Sequence, residues 1–326
     1  MPIDETQRGQ DEYRLGEKVD IAIRRLLIQE RLLIEQMEGV FPERENDLQG
    51  FTRVLDIACG TGTWAVQVAR ENPQIEVIGI ERPRQLVHYA TKLAAAEGVQ
   101  NASFALLADE TTRFPFPDKH FDLVNAHFLF TLLRAEEWPG FVRECLRMTR
   151  PGGYLRLIEP EWGMTDSPAF ERFKSLFVRG LKRRGHSLSP DDRQTGATSP
   201  LRSFLAQAGA TEIRQRFSVY TYWTEPQRPC NLDRWVDVIA QSVKPLLLSQ
   251  EGITQTDFDQ LMQLVTKEVT RADFSEIAYV LSVCGRKPEH VCEEAASSKS
   301  TDEACSWSSR RKSKAEALLE EAGRDH

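Results

Sequence analysis

Two acidic residues and two glycines set the chemistry open to this chain. Asp56 lies near the end of a short apolar run, Val54-Leu-Asp-Ile-Ala-Cys-Gly-Thr-Gly-Thr-Trp64, and Gly60 and Gly62 follow it. A helical pattern then begins near Thr63, with Trp64, Val66, Val68 and Ala69 spaced among polar residues. The order is strand, glycine turn, helix start. Glycine lacks a Cβ, so it tolerates positive φ and lets a ligand lie against the backbone. The open amides of a first helical turn favour a polar or anionic group. A small ligand is therefore expected at Gly60 and Gly62, and two kinds compete. Gly60, Gly62 and Ala65 satisfy the relaxed dinucleotide fingerprint G-x-G-x-x-A, and Glu81 follows at about the 20-residue spacing that fingerprint requires. Asp56 argues for the other kind. A pyrophosphate would meet a negative charge there, whereas a carboxylate suits a ligand that carries an ammonium group.

Those residues need a frame, and the hydrophobic pattern supplies one. Strands are expected near 53–57, 75–80, 103–107, 121–126 and 153–158, with helices near 63–71, 83–97 and 136–148. Such alternation implies a parallel sheet covered on both faces. Ligands of these sheets bind beyond the carboxyl ends of the strands. Asp56, Glu81, Asp109, Asn125 and Glu159 all fall at those ends, which points to one shared site. Upstream, an apolar stripe predicts a helix from Gly16 to Met37. Downstream, helices are expected over Ser167–Arg184, Pro200–Ala208, 231–248 and 256–271. Strands are expected over Glu212–Trp223 and Glu276–Gly285. Gly185 to Pro200 is polar and rich in turn residues, and reads as a mobile loop.

Five ordered blocks between Arg53 and Trp162 resemble the class I S-adenosylmethionine (SAM)-dependent methyltransferases. They are Val54-Leu-Asp-Ile-Ala-Cys-Gly-Thr-Gly, Val77-Ile-Gly-Ile-Glu81, Leu107-Ala-Asp109, Phe114-Pro-Phe-Pro-Asp-Lys-His-Phe-Asp-Leu-Val124 and Arg150-Pro-Gly-Gly-Tyr-Leu-Arg-Leu-Ile-Glu159. Ala58 departs from the pattern, standing where the family usually has the first glycine of the loop; a slight change in the turn is expected. The resemblance implies a Rossmann-like, mostly parallel seven-stranded sheet with helices on both faces and an antiparallel C-terminal hairpin. It also implies SAM as cofactor, held by Asp56, Ala58, Gly60 and Gly62 at the glycine turn. Glu81 would accept hydrogen bonds from both ribose hydroxyls. Arg82 would flank the adenine and Asp109 would meet its amino group. Asn125 and Ala126 would offer backbone groups to the methionine part, and Tyr13 and Arg14 would close over that end. Within this frame the chain divides into an N-terminal helical lid segment (1–50) and a SAM-binding core (51–160). Residues 161–288 form an acceptor-pocket lid, a helical insertion and the last strands. Residues 289–326, rich in Glu, Ser, Ala and Lys, form a disordered tail.

Methyl transfer from a sulfonium needs little beyond holding the acceptor lone pair in line. Acceptor-side candidates are correspondingly few: His127, which titrates near neutrality when unperturbed, and Glu159, with Glu161 beside it. The remaining acidic candidate, Asp122, starts a strand and reads as structural. The six cysteines, among 326 residues, are scattered without a C-x-x-C pair. That disfavours a zinc site or disulfides and suits a reducing cytoplasm. No apolar run approaches the roughly 20 residues that span a membrane. A net charge of −7 removes the simplest reason to expect nucleic acid. The expected partner is a small-molecule acceptor, in a monomer or homodimer working in secondary metabolism. An NAD(P)-dependent oxidoreductase, a protein or RNA methyltransferase of the same fold, and a non-catalytic SAM-binding protein are the alternatives.

Overall fold

The computed structural model describes residues 29–107, 113–223, 243–249 and 252–289, together with Ile23, Leu26, Leu27 and Ala240. Its centre is a seven-stranded sheet of order β3-β2-β1-β4-β5-β7-β6. The strands are β1 (Arg53–Ile57), β2 (Glu76–Glu81), β3 (Ala102–Leu106), β4 (Phe121–His127), β5 (Thr149–Thr165), β6 (Thr211–Trp223) and β7 (Ser275–Arg286). The first five run parallel, and the last two add the antiparallel hairpin. All seven residues of β4 are buried, as expected of a parallel strand covered on both faces.

Of the helices, α1 is described over residues 29–36. It is followed by α2 (Thr63–Glu71), α3 (Arg84–Ala96), α4 (Trp138–Met148), α5 (Pro168–Arg183) and α6 (Leu201–Gln207). Two more follow: α7 at residues 243–249 and α8 (Gln255–Val269). The chain separates into two compact units. The larger contains residues 39–159, 197–217 and 281 onward. Here α2 buries Trp64, Ala65, Val66, Val68 and Ala69, and Trp138 of α4 stacks on Phe204 of α6 with ring centroids 5.9 Å apart. The other comprises residues up to 38, 160–196 and 218–280. In it α5 buries Phe170, Phe173 and Phe177, and α8 buries Phe258, Leu261 and Val265. The Ser167 hydroxyl caps α5 at Phe170 and donates to Glu268 of α8 (2.6 Å), so one side chain ends a helix and ties it to its neighbour.

Two expectations need correction. The fifth strand was expected over 153–158 and runs from Thr149 to Thr165. Pro151-Gly152-Gly153 lies within it. It is a bulge inside the strand: Phe121 pairs with Thr149 but Leu123 with Tyr154, and Gly152 takes φ +74°. The bulge survives because the end of β7 pairs across it: the Gly152 N–H donates to the Lys287 carbonyl and the Lys287 N–H to the Gly153 carbonyl, both at 2.8 Å. The segment 185–200 is polar, yet it is tied down rather than loose. Leu188 N–H and the Ser187 hydroxyl both reach the Thr195 carbonyl, and Thr195 itself is buried.

Candidate active site

The glycine turn is built from alternating left-handed residues: Ala58 (φ +56°), Gly60 (+58°) and Gly62 (+76°). Each positive φ turns the chain back on itself before α2 begins. Gly62 is needed chiefly for packing, because a Cβ there would lie 2.7 Å from the Ala90 Cβ and 2.8 Å from the Phe104 ring. Ala58 takes the left-handed conformation without being glycine, so the departure from the family pattern is a point of backbone strain. Sequence alone suggested only a slight change of turn.

Glu81 ends β2 with its carboxylate folded over this turn. Oε2 accepts the Gly60 N–H (2.9 Å) and Oε1 accepts the Arg82 N–H (2.7 Å). Burial pushes its pKa up, against those two backbone donors and the Arg82 charge. Each oxygen retains a lone pair for a further donor. The Arg82 side chain itself is exposed.

Asp56 and Asn125 are opposite one another in the β1–β4 register. The register therefore delivers the Asn125 amide to the carboxylate, Nδ2 donating to Oδ1 at 2.8 Å, with both residues fully buried. Ala126 is a buried rung of the same strand. His127 lies with Nε2 3.8 Å from Asp56 Oδ1. Burial first, and the Arg156 guanidinium second, hold its pKa down to about 4, so the imidazole is neutral at physiological pH. Neither ring nitrogen has a hydrogen-bond partner among the described residues.

The two acids Glu159 and Glu161, which lie within β5, are engaged elsewhere. Glu159 accepts the backbone N–H groups of Leu129 (2.7 Å) and Phe130 (3.2 Å), bracing the turn that follows β4. Glu161 accepts from Thr195 N and Oγ1, Gly196 N and Trp162 N. It is the anchor of the 185–200 segment. Among the residues proposed from sequence, Asp56, Ala58, Gly60, Gly62, Glu81, Asn125 and Ala126 gather at the carboxyl ends of β1, β2 and β4. Asp109, Tyr13 and Arg14 lie outside the described residues.

The sequence reading passed over Arg156 and Glu43. Arg156 is 1% exposed. Its Nη1 donates to the Val40 carbonyl (2.8 Å) and its Nε stands 3.0 Å from Glu43 Oε2. A charged residue inside the apolar run Leu155–Ile158 was the available signal, since a buried cation requires a paired partner.

Two buried carboxylates beside backbone amides form a donor and acceptor set suited to a ligand with an ammonium group at one end and a diol at the other. Among the described residues no cluster of His, Cys, Asp or Glu could hold a metal ion, and no helix is long and apolar enough to cross a membrane.

Residues 54–153 match the family described as a methyltransferase domain. An uncharacterized methyltransferase of Schizosaccharomyces pombe is 35% identical over 109 residues, 32% of this chain and 38% of that protein. A demethylmenaquinone methyltransferase of Geobacillus kaustophilus is 28% identical over 168 residues, 51% of this chain and 67% of the relative. The chain thus spans well under half of the yeast protein it matches. Among solved structures, the YcgJ protein of Bacillus subtilis superposes with a TM-score of 0.50 at 16% identity, covering 77% of this chain and 97% of its own. A putative methyltransferase of Bacillus halodurans gives 0.50 at 17%, covering 77% and 99%. At these identities the two structures establish the fold alone.

Proposed function

We propose that the chain is a class I SAM-dependent methyltransferase, whose residues 54–153 match a methyltransferase domain, and that it transfers a methyl group to an O, N or C nucleophile of a small, largely apolar molecule. The observation that carries the reading is the buried Asp56 carboxylate, set at the end of β1 by the Asn125 amide. It offers a negative field where a dinucleotide would bring its pyrophosphate. SAM, when bound, supplies a sulfonium-activated methyl group.

Each residue of the site then has a physical task. Asp56 attracts the amino group of the amino-acid end, and the backbone around Gly60 receives its polar atoms. Glu81 accepts the ribose hydroxyls through the lone pairs its two backbone donors leave open. Asp109 meets the adenine amino group, with Arg82 flanking the ring. Tyr13 and Arg14 close over the methionine end. The buried polar frame holds these groups still, which is where most of the rate of an in-line transfer originates.

His127 is neutral, so it is in the form that accepts a proton from an acceptor hydroxyl or amine; at a pKa near 4 it is a weak base. The Glu159 carboxylate holds the turn after β4 and is not needed as base. An apolar acceptor is supported by the relatives named as demethylmenaquinone methyltransferases. The chain is proposed to work in the cytoplasm, as a monomer or homodimer.

Calorimetric titration with SAM, S-adenosylhomocysteine and NADPH tests the reading. Saturable binding of the first two, abolished by Asp56→Ala, is the expected result. Binding of NADPH alone would return Gly60, Gly62 and Glu81 to the dinucleotide reading and overturn ours.

A further inference from the structure

A single polar row crosses four neighbouring strands of the sheet. Asp56 on β1 is registered against Asn125 on β4, and Asn125 against Arg156 on β5. On the far side, Arg156 Nε reaches the Ser282 hydroxyl of β7 at 3.2 Å. All four residues are at most 1% exposed. Glu43 closes the row. It pairs with Arg156, accepts from the Ser282 hydroxyl, and offers its own carbonyl to Arg214 (3.1 Å). Val40 adds a carbonyl that accepts from both Arg156 and the Trp64 indole (2.9 Å).

Nothing in packing alone requires a cation in this position. An apolar side chain on β5 would bury more cheaply than an ion pair. The row does have a directional consequence. A guanidinium only donates and a carboxylate only accepts. Asn125 lies between the two, its Oδ1 3.5 Å from Arg156 Nη1 and its Nδ2 on Asp56. Only one orientation of the amide satisfies both neighbours. The reversed amide would set oxygen against carboxylate and NH2 against guanidinium.

We propose that Arg156 is a positioning residue for the amino-acid end of the bound methyl donor: through Asn125 it fixes the orientation of the Asp56 carboxylate, and Glu43 and Ser282 hold Arg156 in turn. This rests on the assignment of Asp56 to that end of SAM. Arg156 does not touch the ligand. Its removal leaves Asn125 Oδ1 without its cationic partner, so the amide is held by Asp56 alone and the two can shift together, which moves the carboxylate from the ammonium position.

The test compares three ligands on the full chain: SAM, S-adenosylhomocysteine, and 5′-methylthioadenosine, which keeps the nucleoside thioether but lacks the amino-acid end. Arg156→Met is expected to raise the Kd of the first two at least tenfold while that of methylthioadenosine stays within twofold. Arg156→Lys, which keeps the charge and loses the planar fork, should recover part of the loss. Asn125→Ala should show the same ligand selectivity, and combining it with Arg156→Met should add little. Equal weakening of all three ligands would reduce Arg156 to a structural residue and overturn the proposal, as would an unchanged SAM affinity. If Arg156→Met fails to show a folded melting transition, Arg156→Lys and Asn125→Ala decide by the same ratio of affinities. Failure of the wild-type chain to bind any of the three ligands would instead remove the proposed function on which this inference stands.

Discussion

Replacing Glu81 by glutamine separates two tasks of one carboxylate. The group is 7% exposed, and each oxygen accepts a different backbone N–H, one from Gly60 and one from Arg82. A glutamine amide has one accepting oxygen. Whichever way it turns, its NH2 meets either the Gly60 or the Arg82 N–H, and one buried donor loses its partner. Leaving such a group unsatisfied costs about 1–3 kcal/mol, which lowers the melting temperature by several degrees in a chain of this size. The second task, under the proposed function, is ligand binding. Exchanging a charge-assisted acceptor for the ribose diol with an amide removes about 1.5–3 kcal/mol, or roughly ten- to 150-fold in SAM Kd. Scanning calorimetry reads the first number and isothermal titration the second. Glu81→Asp keeps the charge but is shorter by one methylene, and should lose affinity as well. Because burial raises the Glu81 pKa, donor affinity should also decline on acidification, and at higher pH than an ordinary carboxylate would dictate. A lowered melting temperature with unchanged Kd in Glu81→Gln would refute the ribose assignment and leave the carboxylate as a clasp for the turn.

Three further outcomes are expected. Ala58→Gly relieves a left-handed alanine that costs about 1–2 kcal/mol, offset by about 0.5–1 kcal/mol of added chain freedom; a rise of a few degrees in calorimetric melting checks it, and a fall would show that the turn carries no strain. Glu161→Gln should speed hydrogen exchange at Thr195 and Gly196 at least tenfold, since both amides end on that carboxylate; unchanged protection would mean that other contacts hold residues 185–200. Glu276, 2% exposed, receives no hydrogen bond at either oxygen among the described residues and lies 3.9 Å from Lys174 Nζ. Burial outweighs that lysine and raises its pKa from 4.5 to about 7. The stability linked to a raised pKa is present below the unfolded value and lost as pH rises through the folded one, so the chain should weaken between about pH 5 and pH 8, by on the order of 2–3 kcal/mol. Glu276→Gln should flatten that slope in denaturant titrations; an equally steep profile in the variant would assign the pH dependence to another group.

The glycine turn could be placed from the chain alone because its determinants are local. A strand of Val, Leu and Ile, two glycines and a helical repeat are neighbours in sequence, and the observed β1 and α2 coincide with the expected 53–57 and 63–71. The periodicities of the other core elements are local in the same way, so their ends differ by only a residue or two. The fifth strand escaped this reading because its length depends on β7, which pairs across the Pro-Gly-Gly bulge and beyond Glu159.

The roles of the acids were less visible. Asp56, Glu81, Glu159 and Glu161 look alike in a sequence: carboxylates near strand ends. Folding distinguishes them by what arrives opposite. Asn125 comes to Asp56 through strand register, while backbone amides come to Glu81 from Gly60 and Arg82, to Glu159 from Leu129 and Phe130, and to Glu161 from Thr195 and Gly196. Thus composition, glycine spacing and hydrophobic period determined the kind of sheet and the position of its glycine turn, each being set by neighbouring residues. Which groups each carboxylate holds, and that a buried arginine stands behind Asp56, were decided only in the tertiary structure. Both depend on pairings between residues far apart in the chain, and a buried charge takes its role from the partner that folding brings to it.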